Sequence, residues 1–115
     1  MATTAILAGT GLLNEDGSSR STVIRRYCEV GREVELRREQ SKLPESSGIS
    51  VFLRTPRLFG LLGYSYRMIG FVDSLAAAWV AKKFDAGEQV RARVKSVYAP
   101  LEKDQPHVSL SLDSG

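Results

Sequence analysis

The stretch Arg67–Lys95, RMIGFVDSLAAAWVAKKFDAGEQVRARVK, decides the fold because it predicts a strand, a helix and a second strand in direct succession. Its middle predicts the main α-helix over about residues 73–86. Alanine favours helix there, Asp73 or Ser74 can cap the start, and Gly87 stands where a helix of this length ends. The runs on either side alternate or are apolar, as in strands.

Short apolar or alternating runs elsewhere indicate further strands. With the two above, the expected strands cover residues 5–9, 33–37, 49–53, 67–72, 89–95 and 108–112. A short helical turn is expected over about residues 21–29, where apolar residues recur every three to four positions. Five or six short strands and one main helix, without a repeating strand–helix order, predict a mainly β (α+β) protein: a small antiparallel β-barrel with the helix packed on one side.

The chain of 115 residues, 43% of them apolar, suits a single domain over residues 1–115. Its core is expected within about residues 5–112, and loops are expected over about residues 13–20 and 54–66. The second of these contains glycine and proline, which indicates either a long hairpin loop or an excursion with its own short strand.

Membrane insertion and secretion are not expected from the sequence. The longest apolar runs, such as the one from Leu75 to Ala81, are far shorter than the ~20 residues of a spanning helix. The first residues lack the basic start and long apolar stretch of a secretory signal, and Cys28 is the only cysteine, so an internal disulfide is impossible. A small, reduced, cytoplasmic protein without membrane contact is the expectation.

The residues that most enzymes need are also scarce. His107 is the only histidine, so a conventional catalytic triad or a histidine-rich metal site cannot be assembled. Cys28 lies in a stretch with apolar spacing and is predicted to be a buried, inert thiol. We therefore expect no catalytic residues, no bound metal and no cofactor.

Charge is concentrated in one segment. The chain has 16 Lys+Arg against 13 Asp+Glu, and between residues 46 and 72 there are three bases and no acid. Five of the nine aromatic residues lie in the same segment: Phe52, Phe59, Tyr64, Tyr66 and Phe71. Arginine matches phosphate and aromatic rings stack on bases, so this pattern is typical of a nucleic-acid-binding strip. The alternative is a strand pair whose aromatic rings are core and whose arginines are merely solvated.

Several motifs, in their order along the chain, resemble the HIRAN domain. This family is found as a stand-alone domain in bacteria and phage and at the N-terminus of helicase-like DNA-repair proteins. The motifs are Gly31–Glu39, the loop Lys42–Val51, Ile69–Val72, and a helix that ends in Phe84–Val90. The resemblance covers nearly the whole chain if about residues 13–20 and 54–66 are loops of variable length. It implies an OB/SH3-like barrel that binds single-stranded DNA, DNA ends or damaged DNA, with a helicase or nuclease as a possible partner.

The resemblance also implies roles for individual residues. Lys42 and Glu45 stand where the family's loop has asparagine and aspartate, and Phe71 stands where its best-known eukaryotic members have histidine. Basic residues would neutralise phosphates, Glu45 would face a terminal hydroxyl, and aromatic rings would stack on bases. The candidate nucleic-acid-binding residues are Arg20, Lys42, Glu45, Arg54, Arg67, Phe71, Tyr64 and Tyr66.

A second hypothesis is a protein-interaction or homo-oligomerisation domain. The apolar, glycine-flanked segment over residues 58–63 would then form an exposed partner surface, for example in a homodimer. Dissociation of such a dimer by Phe59→Asp, without any oligonucleotide binding, would favour this second hypothesis.

Overall fold

The structure is a computed structural model, and it describes residues 2–14, 17–38, 48–56, 63–99 and 106–114. Within these residues there are two helices, α1 (Arg20–Tyr27) and α2 (Ser74–Asp85). The same residues contain six strands: β1 (Ala2–Ala8), β2 (Glu33–Arg38), β3 (Ile49–Pro56), β4 (Tyr64–Val72), β5 (Val90–Tyr98) and β6 (His107–Ser114).

All strand pairs are antiparallel, and the strands close into a barrel in the order β1-β4-β3-β2-β5-β6. The prediction of a small, mainly β antiparallel barrel with one main helix and a short helical turn is therefore confirmed. Alternating side chains of the strands fill its interior, which places Val51, Leu53, Val94, Leu110 and Leu112 in the core.

Helix α2 is attached to the barrel through its N-cap residue, Asp73. The Asp73 carboxylate caps the helix by accepting from the Ala76 N–H at 3.2 Å, and it also accepts from the Ile6 N–H of β1 at 2.8 Å. One face of the helix, with Ala76, Ala77 and Val80, is buried against the core. Within the described part of the chain, no helix is both long enough and apolar enough to cross a bilayer.

Helix α1 begins where Ser19 accepts from the Thr22 N–H at 3.3 Å. Val23 and Ile24 bury its inner face, and Cys28 follows its last turn as a buried free thiol. Burial raises the pKa of the Cys28 thiol to about 11, and the nearby Arg32 charge opposes this shift. The prediction that Cys28 is buried is confirmed, and its raised pKa agrees with an inert thiol.

One boundary prediction is wrong. Residues 54–56 and 64–66 were expected within a loop, but they extend β3 and β4, with Arg54 opposite Tyr66 and Pro56 opposite Tyr64. Thr55 is the inward residue of this extension and is buried. Pro56 and Gly63 are typical of turns, but Pro56 is the last residue of its strand, where the missing N–H is tolerated, and Gly63 precedes β4.

Candidate functional site

Arginines and aromatic rings alternate on the outer face of the barrel where β2, β3 and β4 lie side by side. Because side chains alternate along each strand, residues two apart share a face, and the strand pairing brings them together. We call this surface the arginine–aromatic ledge. It consists of Arg37 from β2, Phe52 and Arg54 from β3, and Tyr64 and Tyr66 from β4.

The guanidinium groups of the ledge lie on its rings. The Arg37 guanidinium carbon is 4.2 Å from the centre of the Phe52 ring and 5.4 Å from that of Tyr66. The Arg54 guanidinium carbon is 4.5 Å from the centre of the Tyr64 ring. These are cation–π distances, and they orient both partners while leaving Tyr64 and Tyr66 58% and 49% exposed.

A cleft of ≈ 860 Å³ adjoins the ledge on its β2 side. It lies beside the short pairing of β2 with β5, which joins only Glu33 to Arg93 and Val34 to Ala92. Arg54 and Tyr66 belong to both the ledge and the cleft, so a ligand lying on the ledge has the cleft directly beside it. The cleft is lined by Arg32, Glu33, Val34, Glu35, Leu36, Arg54, Tyr66, Phe84, Glu88, Gln89, Val90, Arg91 and Ala92.

The three carboxylates of the cleft are each paired with a cation that does not line it. Their ion pairs are Glu33–Arg93 at 3.1 Å, Glu35–Arg37 at 3.1 Å and Glu88–Lys83 at 3.4 Å. The negative charge at the cleft is therefore largely compensated from outside.

Within the part of the chain that the structure describes, the three arginines of the cleft have no such partners. Arg32 donates to the backbone carbonyls of Tyr27 at 2.9 Å and Arg54 at 2.7 Å, which hold its guanidinium without neutralising its charge. Among the described residues, no ion pair involves Arg32, Arg54 or Arg91. The cleft and the ledge together offer uncompensated positive charge beside exposed rings.

The structure brings together three of the residues predicted from sequence: Arg54, Tyr64 and Tyr66. Arg67 is not part of this group. It pairs with Leu53, whose side chain is in the core, so it points to the opposite face of β4 from Tyr64 and Tyr66.

Two predicted site residues require correction, because they are buried. Phe71 is 1% exposed, so its ring cannot stack on a base, and Arg20 is 3% exposed, so its guanidinium cannot reach a phosphate. Arg20 instead donates to Asn14 Oδ1 at 2.9 Å and to the Gly9 carbonyl at 3.0 Å. Its guanidinium carbon lies 5.2 Å from the centre of the Phe71 ring. The pair holds Gly9, Asn14 and the start of α1 against the barrel.

Lys42 and Glu45 lie outside the described residues, as do residues 58–62 of the expected apolar partner surface. Their predicted roles stay predictions.

The residues of this surface that escaped the sequence-based candidate set include Arg37, Phe52 and Arg32. The first two carried a usable signal. Residues 33–37 alternate polar and apolar, which directs Arg37 outward, and Phe52 belongs to the acid-free aromatic segment. Arg32 precedes its strand, and nothing in the local pattern indicates that it contacts the backbone of Arg54.

Nothing in the described residues suggests a metal centre, since no group of three His, Cys, Asp or Glu side chains is close enough to hold an ion.

No protein-family model matches the chain, and comparisons with curated proteins and with solved structures give no significant match.

Proposed function

We propose that this protein is a non-catalytic nucleic-acid-binding module that prefers single strands. The observation that supports the proposal is the arginine–aromatic ledge, whose Tyr64 and Tyr66 rings are exposed beside cations. Surfaces that bind single strands combine positive charge for the backbone with rings on which bases stack. A strand is preferred to a duplex because its bases are free to leave their neighbours and lie on the rings.

Residues of the ledge and of the cleft have separate roles in this proposal. Tyr64 and Tyr66 stack on successive bases, while Arg54 and Arg91 neutralise the phosphates between or beside them. Arg32 adds positive charge at the cleft in a fixed position, because its guanidinium donates to two backbone carbonyls. Capture of a strand end, and action beside a helicase or nuclease, remain further proposals that follow from the resemblance to the HIRAN family.

The proposal is tested by the fluorescence anisotropy of a labelled single strand of about 12 nucleotides, within the roughly 4–16 that single-strand-binding barrels occupy. Tyr64→Ala and Tyr66→Ala should each weaken binding about 5- to 150-fold, the equivalent of ~1–3 kcal/mol for one stacked base. The matched control is Tyr98→Ala. Tyr98 is also an exposed tyrosine, but it lies at the far end of β5 against His107 and should leave affinity unchanged.

The same titration measures the electrostatic part of binding. Between about 50 and 200 mM salt, the logarithm of the binding constant should fall with a log–log slope of about −0.7 for each phosphate contacted. Strands with free and blocked 3′ ends, compared in parallel, test end capture separately. Equal affinity of the Tyr64→Ala and Tyr98→Ala proteins for the strand, or no binding by the wild type, would contradict the proposal.

A further inference from the structure

The cleft beside the ledge has an apolar floor. Val34, Leu36, Phe84 and Val90 line it and are partly buried against the core. Its volume of ≈ 860 Å³ falls within the roughly 300–1,000 Å³ of small-molecule sites, so a group the size of a nucleoside fits. A flat, uncharged ring is the part of a nucleic acid that an apolar floor favours.

Glu35 is the carboxylate of the cleft that lies beside the ledge, since it pairs with Phe52 across β2 and β3. Its Oε2 accepts from the Arg37 Nη2 at 3.1 Å, and Arg37 is held in turn by the Phe52 ring. Within the described part of the chain, no donor reaches Glu35 Oε1. The structure therefore holds a carboxylate in place and leaves one of its oxygens as an open acceptor at the cleft.

The lining also decides which part of a strand enters. Arg54, which also belongs to the ledge, attracts phosphates, while the apolar floor favours a neutral base. The exocyclic amino group of cytosine is a hydrogen-bond donor, and glutamate accepts a hydrogen bond from it in known base recognition. Uracil has a carbonyl oxygen at the corresponding position, which offers the carboxylate no proton.

We propose that the cleft accepts one unstacked base of the bound strand and that Glu35 selects a base with an exocyclic amino group, cytosine over uracil. The inference rests on the proposed function, because the base belongs to the strand that lies on the ledge. Tyr66, shared by ledge and cleft, is where the strand passes from one to the other.

The test compares labelled oligo(dC) and oligo(dU) strands of equal length near neutral pH. The wild type should bind oligo(dC) at least about fivefold more tightly, the lower end of the discrimination given by one good base contact. Glu35→Gln should reduce the ratio of the two affinities to near one, because an amide donates to uracil as readily as it accepts from cytosine. The ratio is the readout since the lost charge alters both affinities alike.

Glu29→Gln is the matched control. Glu29 is exposed at the end of α1 and does not line the cleft, so its substitution removes the same charge and should preserve the preference for oligo(dC). Equal binding of both strands by the wild type would overturn this inference while leaving the proposed function intact. A preference that survives in Glu35→Gln would overturn the role of Glu35. If the wild type bound neither strand, the proposed function itself would be contradicted.

Discussion

At each of its two ends, the outer face of the β3–β4 hairpin has an aromatic ring in contact with an arginine, and the two pairs have opposite environments. Phe71 reaches this face because the register shifts between Val51 and Phe52, which places it opposite Ser50. At one end the Arg20 guanidinium lies 5.2 Å from the Phe71 ring, and both residues are buried. At the other end the Arg54 guanidinium lies 4.5 Å from the Tyr64 ring, and both residues are exposed. The geometry of the two contacts is similar, so their roles differ for another reason.

That reason is the use of the arginine's donors. Arg20 donates to Asn14 Oδ1, the Gly9 carbonyl and Met68 Sδ, so its hydrogen-bonding capacity serves the fold. Among the described residues, no protein acceptor takes a hydrogen bond from the Arg54 side chain. An arginine–ring contact is therefore structural where a covering segment supplies acceptors and is suited to ligand binding where none does.

The largest expected difference between the two ends comes from removing the rings. Phe71→Ala should lower the free energy of unfolding by about 3–5 kcal/mol, because it empties a buried site. Tyr64→Ala should change it by less than about 0.5 kcal/mol, since the ring is exposed. Urea denaturation at equilibrium measures both. Similar losses in the two variants would refute the division into a buried and an exposed pair.

Removal of the guanidinium groups should give the next largest difference in stability. Arg20→Met leaves Asn14 Oδ1 and the Gly9 carbonyl without this donor and should cost about 2 kcal/mol of unfolding free energy. Arg54→Met removes a contact with the Tyr64 ring that is open to solvent on one side. It should lower the free energy of unfolding by less than about 0.5 kcal/mol. Thermal melts of the two proteins, recorded side by side, check this. An Arg20→Met protein as stable as wild type would show that the buried guanidinium does not hold Gly9 and Asn14 in place.

The helices and strands were predictable because each has a recognisable pattern among residues that are neighbours in sequence. Alternation over residues 89–95 and the capped alanine-rich run after Asp73 both predict structure from neighbours in sequence, and the closed barrel follows from their order. Residues 54–56 were missed because Pro56 resembles a turn residue, although Thr55 is the buried residue of a continuing strand.

The candidate site was only partly predictable. Whether a side chain on the outer face of the barrel is buried depends on residues that are distant in sequence. Phe71 and Tyr64 belong to the same strand and the same acid-free segment, and nothing nearby distinguishes them. Gly9 and Arg20, which lie against the Phe71 ring, precede it by more than fifty residues. The contact between Arg20 and Phe71 is decided by tertiary packing. The aromatic pattern around Phe71 and the family resemblance at Arg20 therefore predicted binding roles for two residues that instead stabilise the fold.

The comparison can be sharpened through the salt dependence of binding. If Arg54 contacts one phosphate, Arg54→Gln should make the log–log slope of affinity against salt shallower by about 0.7. Lys95→Gln is the matched control, since Lys95 is exposed on β5, donates to the Thr4 hydroxyl of β1 and belongs neither to the ledge nor to the cleft lining. Anisotropy titrations at several salt concentrations give both slopes. An unchanged slope in Arg54→Gln would mean that its guanidinium does not neutralise a phosphate of the bound strand.

The smallest effect is expected at the exposed ion pair that joins β2 to the last residue of α2. Arg38 donates to Asp85 Oδ1 at 2.7 Å, and this hydrogen bond lowers the pKa of Asp85 below its ordinary 3.8. A lowered folded-state pKa contributes stability above the unfolded-state value, and the contribution is lost as the pH falls through the folded-state value. Asp85→Asn should therefore be slightly less stable than wild type near neutral pH and equal to it in acid below that range. Denaturation across pH measures the difference, and Arg38→Gln should show the same pH dependence without adding to it in the double variant. A difference between Asp85→Asn and wild type that persists in acid would mean that packing, not the ion pair, is responsible.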